Sequence, residues 1–123
     1  MKFVIAAIAM SLSTLVSAES ISEVKITKET CLTLLELSKI HVDMVVNEHM
    51  NAIQIASHMD IVSNLYKNNN SKWLAFLQAQ ANISKLIDDV YEFSSTEERK
   101  IIPLAIFNGC MGRVGNTFEI YKK

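Results

Sequence analysis

Glycine and proline are nearly missing from this chain. Three glycines and one proline serve 123 residues, and none of the four stands before residue 103. An architecture of many short strands and tight turns has no turn chemistry to draw on here, which leaves long helices. Charge of one sign is missing too. The formal net charge is −1, so there is no counterion-release advantage on nucleic acid and no polybasic patch for a membrane surface. Beyond the first eighteen residues no apolar run approaches the ~20 residues that span a bilayer. Cysteine occurs twice and tryptophan once.

The first eighteen residues carry a different signal. Lys2 supplies a positive start, residues 3–16 are mostly apolar, and Val16, Ser17 and Ala18 place small residues where a signal peptidase cuts. Residues 1–18 therefore read as a secretory signal peptide, with residues 19–123 as one domain of 105 residues. That domain is large enough for one core and small enough to gain from a covalent staple. In an oxidising compartment an even pair of distant cysteines, Cys31 and Cys110, reads as a structural disulfide. A reactive thiol at Cys110 is the alternative, but no base lies beside it in sequence. Met44, Met50, Met59 and Met111 read as fillers of core gaps.

Apolar residues recur at helical spacing from Cys31 through Leu34, Leu35, Ile40, Val42, Val45, Val46, Ile53, Ala56, Met59 and Val62 to Tyr66. Thr27 or Thr30 is the expected cap at the start, and a break is expected over residues 47–51. Residues 68–71 predict a loop, with Ser71 as cap of a helix running from Trp73 to Phe93. Ser94 and Ser95 each precede a glutamate by three, the capping-box pattern. Pro103 is expected in the first turn of a last helix, whose stripe would be Phe107, Cys110, Val114, Phe118 and Tyr121. The fold class expected is all-α, a compact bundle of four to five helices with a disulfide linking the first and last.

No catalytic signature emerges. Gly109, Gly112 and Gly115 are spaced G-x-x-G-x-x-G, which matches neither the dinucleotide fingerprint nor the P-loop. They predict a small-residue helix face where another backbone comes close, or else a helix end. His41, His49 and His58 are eight and nine residues apart, about 12 Å or more along one helix, and form no metal-ligand pattern. They are expected to face solvent or to be satisfied in the core. The pairs Asp88–Asp89 and Glu97–Glu98 are adjacent, so they do not face one cleft as acid/base chemistry requires. No enzyme, cofactor or metal is expected. Two surfaces remain as partner-binding candidates. One is the aromatic-flanked loop of Tyr66, Asn68, Asn69, Asn70, Ser71 and Trp73, although Trp73 also reads as core. The other is the acidic cluster of Asp88, Asp89 and Glu92, which also reads as a solvated helix face.

An export signal, about a hundred mature residues, an unbroken helical pattern and the pair Cys31 and Cys110 together resemble the small periplasmic immunity proteins of type VI secretion systems. Within that group the chain is similar to those that neutralise a lysozyme-like domain carried on a valine-glycine-repeat spike effector. The resemblance covers the full length and rests on no short motif. It implies a periplasmic homodimer that occludes the glycan cleft of a cognate peptidoglycan hydrolase. In such an inhibitor Asn69, Ser71 or Trp73 would reach the catalytic carboxyl. A periplasmic adaptor or chaperone-like module, with an apolar groove between helices for an envelope protein, is the alternative.

Overall fold

The computed structural model describes residues 20–93 and 95–122. The signal peptide expected over residues 1–18 and the cap expected of Ser94 lie outside the described residues. Among those described, the order is β1 (Ser20–Lys25), α1 (Lys28–Val46), α2 (Ala52–Tyr66), α3 (Asn70–Ala81), α4 (Ile83–Glu92), α5 (Thr96–Met111) and β2 (Thr117–Lys122). Five helices make the all-α bundle. None is long and apolar enough to cross a membrane.

Local hydrogen-bond chemistry sets the helix starts. Thr27 caps α1, its hydroxyl accepting from the Thr30 amide while the Thr30 hydroxyl accepts from the Thr27 amide. Asn51 and Gln54 do the same at α2, and Ser95 and Glu98 at α5. Each reciprocal pair satisfies two amide donors that a helix end otherwise leaves open. The break falls at residues 47–51 as expected. There the chain turns through His49 at φ 56°, a left-handed residue without glycine, and the Met50 amide reaches back to the Met44 carbonyl at 3.1 Å.

Three boundaries differ from expectation. Asn69, not Ser71, caps α3, its side-chain oxygen accepting from the Lys72 amide at 3.0 Å. The stretch read as one helix from Trp73 to Phe93 is two, divided at Asn82, whose amide closes α3 on the Gln78 and Ala79 carbonyls. Pro103 stands inside α5 rather than in its first turn, because Ser95 starts the helix earlier. The proline there removes the rung to the Arg99 carbonyl.

Helix α1 is the hub. It packs against α5, α3 and α4, and α2 lies over α3 and α4. Leu34, Leu37 and Val45 of α1 meet Ile55 and Met59 of α2, Leu74 and Phe76 of α3, Leu86 and Val90 of α4, and Ile102 of α5. Cys31, in the first turn of α1, is bonded to Cys110, in the last turn of α5, with Cα atoms 5.5 Å apart across 79 residues of sequence. The first and last helices are thereby joined.

The chain ends add a two-stranded antiparallel ribbon, with Val24 opposite Phe118 and Lys25 opposite Thr117. Val24 and Ile26 are buried while Glu23 and Lys25 are exposed, the two-residue alternation of a half-buried strand. Phe118 and Tyr121 thus belong to a strand, and the helical stripe drawn through them stops at Met111.

Of the two expectations for the glycines, the close-packed face is corrected and the helix end holds, with Gly112 as the C-cap of α5. A methyl group built on Gly109 or Gly112 meets nothing closer than 3.5 Å, so no neighbouring backbone is packed against them. Gly115 is the one with a conformational role. It holds φ +100° and donates its amide to the Ile26 carbonyl at 2.9 Å, turning the chain from α5 into β2. Gly115→Ala should therefore cost about 1–2 kcal/mol in a urea melt. Gly112→Ala, at φ −66°, should be neutral or stabilising by up to ~1 kcal/mol. Even Gly112→Leu should fold with its disulfide intact.

Candidate functional site

The loop candidate is partly consumed by structure. Asn69 spends its side-chain oxygen on the α3 cap. The Ser71 hydroxyl accepts from the Thr27 hydroxyl at 3.3 Å, tying the starts of α1 and α3 together. Trp73 is half-buried and stacks on Phe76 with ring centroids 5.0 Å apart, its Nε1 buried without a hydrogen-bond partner. Asn68 and Asn70 are the exposed amides of the turn, beside a half-buried Tyr66. Tyr66 ends α2 and Asn70 starts α3, so the turn between them is residues 67–69, closed by the Asn69 amide on the Tyr66 carbonyl at 3.0 Å.

The acidic cluster lies on a separate helix, α4. Asp88, Asp89 and Glu92 follow Lys85 at spacings of three, four and seven, so they share one face. Lys85 bridges both Asp89 oxygens at 3.2 Å, a surface pair of small energetic weight. Asp88 and Glu92 are exposed, next to an exposed Tyr91.

A third surface was not singled out from sequence. Ile53, Ile61 and Leu65 of α2 are 78%, 71% and 76% exposed. With Ser57 they recur every four residues and form a stripe about 18 Å long that ends one turn before the asparagine loop. The helix beneath them carries a single acidic residue, Asp60, and no lysine or arginine. Ile55 and Met59 already supply its core contacts, so the stripe is surplus to folding. The spacing was visible in sequence, but Ile53 had been assigned to the buried side. Exposed apolar side chains grouped on one helix face make this strip a candidate interaction surface.

Two grooves flank α1. The larger, about 550 Å³, opens between α1 and α5 at the end away from the disulfide. Val42, Val46, Pro103 and Leu104 form its apolar walls, and Lys39, Arg99 and Lys100 are at its rim. All three cations are engaged, Lys39 with Glu36 at 3.6 Å, Lys100 with Glu97 at 3.2 Å, and Arg99 through its Nε on the Phe93 carbonyl at 3.2 Å. The smaller groove, about 320 Å³, is lined in part by Met44, Met50 and His58.

His41 departs from both of its expected roles. It is 1% exposed; its Nε2 lies 3.1 Å from the Met59 sulfur and its Nδ1 has no partner. Burial, with a smaller effect from His58, lowers its pKa from 6.5 to about 4. Whichever nitrogen carries the proton, one buried polar atom is poorly satisfied, a defect worth about 1–3 kcal/mol. No three histidine, cysteine or acidic side chains converge among the described residues.

No protein-family model matches this sequence, and comparison with curated proteins and with solved structures finds no similar chain.

Proposed function

We propose that this protein is an exported immunity protein that binds a peptidoglycan-degrading, lysozyme-like effector of a type VI secretion system and occludes its glycan cleft. The observation that carries the binding half of this reading is the unpartnered apolar stripe of Ile53, Ile61 and Leu65, which runs into the Asn68–Asn70 turn. Apolar anchors beside short amides and a tyrosine are the composition of a protein-binding surface. The disulfide suits an oxidising compartment such as the periplasm. The effector half of the reading rests on the family resemblance. In this arrangement the stripe supplies contact area, and the exposed amide of Asn68 faces the catalytic groove. Asn69 and Ser71, committed to local bonds, are the weaker choices for reaching the carboxyl.

Titration of a lysozyme-like effector domain with the protein should give one protomer per enzyme and abolish wall hydrolysis. Leu65→Asp, a surface change that leaves the core intact, should weaken that complex by about 30-fold or more, as loss of an interface anchor does. Full inhibition by the Leu65→Asp and Ile61→Asp variants would remove the stripe from the interface. The α1–α5 groove favours a second reading, an adaptor that takes an amphipathic segment of an envelope protein. Under that reading Leu104→Lys abolishes partner binding, and no wall hydrolase is inhibited.

A further inference from the structure

A set of soft donors gathers where α1 meets α2. His41 and Met44 are one turn apart on α1, His58 and Met59 are consecutive on α2, and Met50 lies in the connection between them. The His41 Nε2 is 3.1 Å from the Met59 Sδ, both residues being fully buried. Met44, Met50 and His58 line the adjoining groove, with the carboxylates of Asp43 and Glu48 in its wall. We propose that this cluster is a binding site for Cu(I), with His41 and Met59 as the buried ligands and a donor from Met44, Met50 or His58 completing it from the groove.

The ligand chemistry selects the ion. Thioethers are soft donors that hold monovalent copper and give little to magnesium, calcium or manganese. Zinc would call for thiolates, imidazoles or carboxylates. Both cysteines are consumed in the disulfide, and no three histidines or acids converge among the described residues. At metal–nitrogen and metal–sulfur bonds of about 2.0 and 2.3 Å, tetrahedral or trigonal angles put the two donors about 3.5–3.7 Å apart, so His41 and Met59, now in direct contact at 3.1 Å, need part by only about half an ångström to take an ion between them. A metal at Nε2 also resolves a contact that is otherwise poor, because the imidazole lone pair and the sulfur lone pairs would both point at the ion. Asp43 and Glu48 draw cations toward the groove mouth, with Lys39 as the opposing charge.

The test uses the purified, disulfide-bonded protein. Ag(I) serves as the first probe, because it has the same softness and needs no reductant that would open the disulfide. Proton–carbon NMR of the methionine methyl groups should show Met59, with Met44 or Met50, shifting to completion at one equivalent. Met111, on α5, should not move. Cu(I), titrated anaerobically against bicinchoninate, should then form a 1:1 complex. Met59→Leu, close in volume but without sulfur, should weaken it by at least 30-fold. His58→Gln, an exposed change, shows whether that imidazole is the groove-side donor. Absence of a stoichiometric complex, or Met59→Leu binding within threefold of the unsubstituted protein, overturns the site. If Met59→Leu does not fold, the methyl shifts decide: a Met59 methyl that stays still while Ag(I) binds elsewhere overturns it equally.

Discussion

Replacing Cys31 and Cys110 together by alanine should lower the stability of the protein by about 4.5 kcal/mol. The bond closes 79 residues of sequence, and the chain-entropy relation for a loop of that length gives about this loss from freeing the unfolded state. A domain of this size is stable by only about 5–15 kcal/mol in all, so the double variant should be marginal or unfolded at 37 °C. The effect should be uneven in space. β1 lies just before Cys31 and β2 just after Cys110, so the bond holds together the region from which both strands of the ribbon leave. A two-stranded ribbon is marginal without support. Its amides, including Ile26 on the Asn116 carbonyl, should lose hydrogen-exchange protection before those of α1. Urea denaturation of the oxidised, reduced and double-alanine forms measures the first effect. A loss below ~1 kcal/mol would mean that the helices specify the closure without the bond.

How much of this was legible in the sequence depends on the kind of signal. Helix starts were readable at Thr27 and Ser95, whose partners stand three residues on, but not at Asn69, where Ser71 offered a competing cap two residues later. Helix ends were harder, since glycine marks only the end of α5, at Gly112 and Gly115. The turn after α1 uses His49 in the left-handed region instead, and Asn82 divides α3 from α4 with no break in the apolar pattern. The disulfide followed from two cysteines and from the export signal expected ahead of them. The ribbon did not, because Val114, Phe118 and Tyr121 happen to continue the spacing of α5, and six residues are too few to separate a strand period from a helical one. Among the site residues, those with local roles were misjudged most. Asn69 looked like a free surface amide and Ser71 like the cap, yet Asn69 makes the cap and Ser71 takes a cross-helix bond from Thr27. Ile53 was misplaced, and Ile61 and Leu65 were passed over, for the opposite reason. Periodicity shows that apolar residues share a face, but not whether the bundle has anything to lay against it.

The second large effect is one of pH. His41 titrates near 6.5 when the chain is unfolded and at about 4 when folded. Above pH 6.5 both states hold it neutral, and it contributes no pH dependence. As pH falls from 6.5 toward 4, the unfolded chain takes up a proton that the folded one refuses, so stability declines. The slope approaches 1.36 kcal/mol per pH unit and the total is on the order of 3 kcal/mol. Below pH 4 the folded form is protonated as well, and this contribution levels off. The cause is packing: the ring is buried beside Met59, and its nearest charged neighbour is another histidine, which disfavours a second positive charge. Urea midpoints between pH 8 and 4.5 should trace this decline in the unsubstituted protein. His41→Leu should remove it, because leucine fills similar space and leaves no buried Nδ1 to satisfy. At pH 7.5 that variant should lie within ~1 kcal/mol of the parent or above it. An unchanged acid slope in His41→Leu would assign the titration to carboxylates instead. Retained slope and retained stability together would place His41 outside the acid response altogether.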